Sequence, residues 1–345
     1  MQRCIRCSSA SRPPVTIDVG HLQAGWYSRR PVWWACPLAG LFGIVTALRR
    51  RLYRTGRLQQ VRLPVPVIVV GNVSVGGTGK TPLTIALALA LQAAGHRPGV
   101  VSRGYGGSQQ TPALLGPGAD PSRYGDEPCL IRDNGIEVAV GRDRPAAAWL
   151  LLAMGCDVIL ADDGLQHYRL ARDIEICVID GVRRFGNGWL LPAGPLREPA
   201  RRALAADFRV CNGGSPQAGE WLMKLQGDQA LRLGAQDECR PLSSWRGQTV
   251  HAVAGIGHPP RFFQMLRNQG MTVIEHAFAD HHHFVADDFG FADDLPILMT
   301  AKDAVKCRGL VGADSWLVPV RADLEPAFFQ QLLQRLSSPT AGRAP

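Results

Sequence analysis

The run Ser74, Val75, Gly76, Gly77, Thr78, Gly79, Lys80, Thr81 sets three glycines, a lysine and a hydroxyl where consecutive backbone N–H groups can turn inward on a phosphate chain. Glycines supply the positive φ angles or close approaches that a side chain would forbid. Lys80 would reach the β and γ oxygens of a nucleoside triphosphate, and the Thr81 hydroxyl would ligate Mg2+. The pattern GxxxxGK[ST] asks for glycine where Ser74 stands, which weakens the first turn and leaves the phosphate-facing half intact. Only four lysines accompany thirty-four arginines in the chain, so a lysine in this place is unlike the background.

A metal on such a phosphate chain needs an acid from a neighbouring strand. "DVILADDG" supplies it: Val158, Ile159, Leu160 and Ala161 deliver Asp162 and Asp163 to a sheet's carboxyl edge, where open α/β sheets place their ligands. With no basic neighbour in sequence the two carboxylates would repel, and Mg2+ would relieve that. The bland reading is an exposed acidic turn. Three other clusters are more ambiguous. "RYGDEPCL" sets Asp126 and Glu127 after Gly125, where an acidic pair caps a helix equally well. "LLPAGPLREP" holds Arg197 and Glu198 in a rigid proline loop, at a site or in a surface turn. "FADHHHF" gathers His281, His282 and His283 behind Asp280, either a base with its orienting partner or a metal cluster.

These residues need elements to position them. "VPVIVVGN" reads as a buried parallel strand and "TPLTIALALALQAAG" as the helix after it; "RPGVVS", "CDVILADDG" and "IEICVIDG" are further strands, and "AAAWLLLAMG" is a helix. The alternation predicts an α/β fold, a doubly wound, mainly parallel sheet of the P-loop NTPase kind. Beyond "DFRVCNGG" the pattern loosens into two short strands around Gly227, then restarts as strand, helix, strand. The expected division is a disordered extension over 1–25, a membrane-associating helix region over 26–60, a P-loop domain over 61–220, a connector over 221–245, a smaller α/β domain over 246–338 and a disordered tail over 339–345.

At 345 residues with 46% apolar residue types, the chain is long enough for two such units. Nine cysteines without a secretory signal pattern point to a reducing compartment rather than a disulfide framework. Cys4 and Cys7 form a lone CxxC with no second pair at zinc spacing. The formal charge of +9 is localised: residues 1–60 hold ten arginines against Asp18 alone, which accounts for the whole excess. Between Arg30 and Arg49, "PVWWACPLAGLFGIVTAL" brings Trp33 and Trp34 together with an apolar helix and a basic flank, as an interfacial anchor requires. Pro31 and Pro37 shorten it below the roughly 20 residues of a full span. Nucleic acid would want aromatics interleaved with cations, and here they are segregated; no nucleic acid is expected.

In order along the chain, "VPVIVVGNVSVGGTGKTP", "SRGYGG", "YGDEP", "GRDR", "ADDGLQH", "LLPAGPLREP", "AVAGIGHPPRFF", "FADHHHF" and "AKDAVK" resemble the tetraacyldisaccharide 4'-kinase family of lipid A synthesis, from about Trp26 to about residue 335. Residues 1–25 fall outside the resemblance, as an extension or a start placed too far upstream. The resemblance implies transfer of the ATP γ-phosphate to the 4'-hydroxyl of a tetraacylated glucosamine disaccharide 1-phosphate, by a peripheral or monotopic enzyme at the cytoplasmic face of the bacterial inner membrane, with no obligate protein partner. By the same resemblance Ser74 to Thr81 hold ATP; Thr81, Asp162, Asp163 and Glu198 organise Mg2+; Asp126 is the base, supported by His281; and Arg144, Arg197, Gln166 and His167 contact substrate or phosphate. Two positions depart from the family's wording, Ala301 for glutamate and His258 for asparagine. Altered local salt bridging with retained activity is the expectation for Ala301. The rival class is a membrane-bound switch ATPase of the partitioning and septum-positioning kind, whose loop KGGxGK[ST] demands a lysine where this chain has Val75.

Overall fold

The structure is a computed structural model that describes residues 25–28, 30–312 and 314–337. The Cys4–Cys7 pair, almost all of the expected N-terminal extension and the tail beyond Ser337 lie outside these residues. In chain order the strands are β1 (Val67–Gly71), β2 (Pro98–Ser102), β3 (Ala113–Leu114), β4 (Glu137–Val140), β5 (Val158–Ala161), β6 (Ile174–Asp180), β7 (Phe208–Asn212), β8 (Glu220–Gln226), β9 (Gln229–Arg232), β10 (Ala235–Pro241), β11 (Thr249–Ala254), β12 (Thr272–Ala277), β13 (Ile297–Thr300), β14 (Ser315–Val318) and β15 (Arg321–Leu324). The helices used below are α1 (Cys36–Arg54), α2 (Lys80–Ala93), α3 (Asp126–Asp133), α4 (Arg144–Ala153), α5 (Pro259–Asn268), α6 (Ala301–Ala304) and α7 (Pro326–Ser337).

All five residues of β1 are buried, as a strand covered on both faces must be. It sits inside a nine-stranded sheet ordered β15-β8-β7-β6-β1-β5-β2-β4-β3, parallel except where β15 and β3 run antiparallel to their neighbours at the two edges. Helices cover both faces. Leu83, Leu87 and Leu91 of α2 pack on Ile68 and Val70 with Phe328 and Leu332 of α7, while Ala147, Ala148 and Leu151 of α4 pack on the other face with Val67 and Val69. Each of these leucines contributes about 1.5–3 kcal/mol by leaving water. The expected doubly wound sheet is therefore present, and it also takes in Glu137–Val140, which the apolar runs did not single out.

A second sheet, ordered β10-β9-β14-β13-β11-β12, is parallel from β14 to β12 and packs on Phe262, Phe263 and Leu266 of α5. The expected division of the chain needs correcting. The stretch 221–245 is not a connector: β8 lies in the large sheet, whereas β9 and β10 lie in the small one. Residues 321–337 return to the large sheet, with Arg321 opposite Gln226 and Leu324 opposite Met223. A long-range antiparallel pairing leaves no local sequence signature, so a linear reading assigns such a strand to whatever precedes it. The chain thus crosses between the sheets twice, after Gln226 and after Val318.

The sheet register carries the chemistry. Val69 is paired with Ala161, so the residues that follow β1 and β5, Asn72 and the Asp162–Asp163 pair, leave the sheet edge side by side. Outside the sheets, α1 buries little beyond Ala39 against Ala193 and Leu190. Its opposite face leaves Leu38, Leu41, Ile44, Val45 and Leu48 half or more exposed, next to Trp33 at 82%. Among the described residues no helix is long and apolar enough to cross a membrane.

Candidate active site

Gly79 closes the glycine loop at φ 87° and caps α2, so Lys80 opens the helix. A Cβ at Gly79 would stand 2.4 Å from the Asn212 amide nitrogen, which donates to the Thr78 carbonyl at 2.9 Å. Asn212 ends β7, so a neighbouring strand props the loop. Gly76 also has positive φ, at 100°. The start of the loop is stitched to the proline loop: Val75 N–H donates to Pro195 O at 2.8 Å, and Arg197 N–H to Val73 O at 2.7 Å. Lys80 Nζ lies 3.3 Å from Asn72 Oδ1 and 3.5 Å from Asp163 Oδ1.

Asp162 and Asp163 are adjacent in sequence and opposite in environment. The sequence suggested two carboxylates without a basic neighbour; the fold supplies two, because Arg197 Nη1 reaches Asp163 Oδ2 at 2.9 Å and Lys80 stands close by. Burial pushes the Asp163 carboxyl up, but Lys80 and Arg197 outweigh it and hold the group well below the usual carboxylate range. Asp162 is 1% exposed and accepts from Thr84 Oγ1 at 3.1 Å. Burial, then Glu127 and Asp163, raise it to about 7, and its second oxygen has no hydrogen-bond partner among the described residues.

Glu198, also an expected metal ligand, has a hydrogen-bond donor on each carboxylate oxygen. Glu198 accepts from Tyr168 Oη on one oxygen and from Gln166 Nε2, at 3.1 Å, on the other. Among the described residues no group of three or more His, Cys, Asp or Glu side chains is arranged to hold a metal ion. Gln166 also donates to Asn72 O at 3.0 Å. Arg144, 4% exposed, donates to the Asp163 carbonyl at 3.0 Å, so it braces the turn from beneath. His167 is pushed down to about 3 by burial and then by Arg144, Arg172, Arg49 and Arg169, and is neutral at pH 7.

Asp126, the first residue of α3, and His281 are 155 residues apart in sequence and meet in space. His281 Nδ1 lies 3.0 and 3.2 Å from the two carboxylate oxygens. A carboxylate only accepts, so Nδ1 carries the hydrogen and a neutral ring presents a bare Nε2. Asp126 is 4% exposed and His281 faces the cleft. Burial raises the Asp126 carboxyl, but the His281 bond, Lys302 and Lys306 prevail and lower it. The bond to Asp126 raises His281. Lys302 Nζ stands 3.0 Å from Glu127, 3.1 Å from Asp280 and 3.8 Å from Asp126. Ala301 lines the cleft and leaves this lysine to those three acids.

One cleft of about 1860 Å3 joins these groups. Its walls include the loop from Val75 to Thr81, Asp163, Gln166, His167, Arg144, Arg197, Glu198 and His281, and also Trp26, Phe42 and Arg49 of the N-terminal region. The small unit closes one side: a Cβ on Gly257 would stand 2.6 Å from the Gly77 nitrogen, and Arg183, which donates to Gly77 O at 2.8 Å, shares Asp180 with Arg261 of α5. Of the expected residues, the fold brings Lys80, Asp163 and Arg197 together and joins Asp126 to His281, while Glu198 is tied to Tyr168 and Gln166. Asn72, Asn212, Tyr168 and Lys302 were not singled out. Lys302 had a signal, since it is one of only four lysines in the chain and lies inside the quoted "AKDAVK"; Asn212 ends an ordinary strand and had none.

The family profile described as tetraacyldisaccharide-1-P 4'-kinase matches residues 31–337. A tetraacyldisaccharide 4'-kinase from Stenotrophomonas maltophilia is 54% identical over 90% of this chain and 95% of its own, and one from Alkalilimnicola ehrlichii is 52% identical over 93% and 99%. The crystal structure of LpxK from Aquifex aeolicus in complex with ATP superposes with a TM-score of 0.73 at 30% identity, covering 87% of this chain and 97% of that one. With a match along nearly all of its described length, this chain belongs to the tetraacyldisaccharide-1-P 4'-kinase family.

Proposed function

We propose that the chain binds ATP in the amide-lined turn ahead of Lys80 and moves its γ-phosphoryl group to the 4'-hydroxyl of a tetraacylated glucosamine disaccharide 1-phosphate, a step of lipid A synthesis. The names of its relatives and the ATP complex of the Aquifex protein support this reading. The switch-ATPase alternative has no such support. The observation that carries it is the single cleft that runs from the glycine loop past His281 to Phe42 and Arg49 of the amphipathic helix. A lipid can stay embedded by its acyl chains there while its sugar meets the nucleotide.

Loop amides and Lys80 take up charge on the β and γ oxygens, where a loose transition state spreads it. The Asp126–His281 pair acts as one base, receiving the hydroxyl proton as the oxygen bonds to phosphorus and the bond to ADP breaks. Arg197 fixes Asp163 beside Lys80, and Arg144 holds that turn rigid; both are in reach to steady phosphate charge. Neutral His167 and Gln166 offer hydrogen bonds to sugar without adding charge. Thr81 and the orphaned oxygen of Asp162 suit Mg2+, which keeps most of its water and needs only one or two protein ligands. When bound it neutralises developing phosphate charge. Glu198, bonded to Tyr168 and Gln166, orients these neighbours. The exposed apolar face of α1 suits peripheral or monotopic seating on the cytoplasmic leaflet of the inner membrane, the side that supplies ATP.

Incubating purified protein with γ-labelled ATP, Mg2+ and a tetraacyl disaccharide 1-phosphate tests the reading. Label should enter the lipid as a second phosphate. ATP turnover that ignores the lipid sinks it.

A further inference from the structure

Lys302 has no place in the scheme above, yet it touches more acids than any substrate role requires. It sits in α6 of the small unit, and its ammonium lies 3.0 Å from Glu127 and 3.8 Å from Asp126 of the large unit's α3. It also lies 3.1 Å from Asp280, in the loop that carries His281. Its side chain is 15% exposed. The groups facing this pocket are Asp126 and Glu127 from α3, Asp280 and His281 from the loop after β12, Asp303 from α6 and Lys306 just beyond it, with Tyr105 against the imidazole at 4.9 Å. Lys306 Nζ stands 3.8 Å from Asp126 and 2.9 Å from Asp303. Four carboxylates face two ammonium groups, so the cluster is short of positive charge, and the nearest group able to supply it is the His281 imidazole taking a proton. That proton would block the base.

We propose that Lys302 is a positioning residue for the Asp126–His281 pair: its ammonium docks α3 onto the histidine loop and keeps the imidazole free of the extra proton that this acidic cluster would otherwise recruit. The geometry requires it to do both, because one Nζ bonds an acid from each side of the pair. Its charge also favours the ionised Asp126 and disfavours protonated His281. Loss of the ammonium therefore moves the titration of the pair as a whole toward higher pH.

The inference rests on the kinase reading and is tested apart from it. Titration of 15N-histidine-labelled full-length protein by NMR, with His281 assigned from a His281→Gln variant, reads the imidazole directly and without substrate. Lys302→Met should raise the His281 midpoint by about one unit or more, the size expected for losing a charge within a few ångströms. Lys302→Arg should restore it, and Asp280→Asn, which removes an acid, should lower it. The rate of lipid phosphorylation by Lys302→Met should rise about fivefold between the two midpoints, an interval over which the parent rises about twofold. If the His281 midpoint stays put in Lys302→Met, or Lys302→Arg fails to restore it, the proposal is wrong. Should Lys302→Met not fold, the downward shift in Asp280→Asn and an unchanged midpoint in Lys302→Arg decide instead. A shift in the midpoint with no change in the rate profile leaves the electrostatic role of Lys302 standing and removes the pair from the base assignment.

Discussion

At the scale of single residues, Lys80 and Asp126 make separable contributions. Lys80→Ala removes a fixed cation from phosphate oxygens in a buried setting and should lower kcat by about 10^2–10^3, the cost of losing one preorganised charge-stabilising group. Asp126→Ala should cost less, because proton transfer runs late in a loose phosphoryl transfer and positioning dominates. Steady-state phosphorylation of the lipid by the two variants ranks them; an Asp126→Ala enzyme with parental turnover at neutral pH overturns the base assignment. The pair also sets a pH dependence. His281 titrates above its ordinary 6.5 because of Asp126, so the base is free only at higher pH, and kcat/KM should climb through a midpoint above 6.5. A profile already flat at pH 6 contradicts this. The stability sign is the reverse. The raised imidazole contributes fully below about 6.5 and loses its contribution as pH rises through the folded midpoint, while the depressed Asp126 contributes above about 3.9 and loses it in acid. Folding is thus helped most by this pair between those limits, at pH values where catalysis is still held back. Lys80 was legible because its spacing from the glycines is the mechanism. Asn212 and Tyr168 were not, since each acts across a contact that spans 30 or more residues of chain.

At the scale of elements, β1, α2 and β5 could be read from the sequence because burial on both faces writes itself as continuous apolar runs and the loop glycines mark the turn. The N-terminal helix could be read for the same reason in reverse. Its apolar positions 38, 41, 45 and 48 fall on one stripe and are each half or more exposed. What the spacing could not give is which way the helix faces. The structure sets Phe42, Thr46 and Arg49 on the cleft and turns Leu41 and Ile44 outward. Leu41→Glu with Ile44→Glu should therefore abolish sedimentation with anionic phospholipid vesicles and raise KM for the vesicle-borne lipid about tenfold or more, since two apolar contacts of roughly 1–2 kcal/mol each are exchanged for charges. ATP affinity should stay as it was. A matching loss of ATP affinity shows that the helix is a structural part of the nucleotide site instead.

At the scale of the whole molecule, the chain is two sheets that share two crossings rather than two consecutive domains. The last helix, α7, illustrates why. Phe328 is fully buried between Phe208 and Trp221, on the same core as Leu83 and Leu87 of the helix that begins with Lys80. The end of the chain therefore completes the nucleotide unit that its beginning starts, and the small unit is an insertion between β8 and β15. No run of residues near 328 reveals this, because an amphipathic helix records that it has an apolar face and not which sheet covers it. Phe328→Ala should cost about 3–5 kcal/mol, the range for deleting a buried aromatic ring. The loss belongs to one unit. Hydrogen exchange should speed up across β1, β6 and β7 while the amides of β11 to β14, whose core is built on Trp245, Trp316 and Phe263, keep their protection. Acceleration confined to β11–β14 returns α7 to the small unit and restores the linear division. Equal acceleration everywhere means that the two sheets unfold as one. Under the expected outcome, a mutation more than 200 residues from Lys80 loosens the phosphate loop through the sheet behind it.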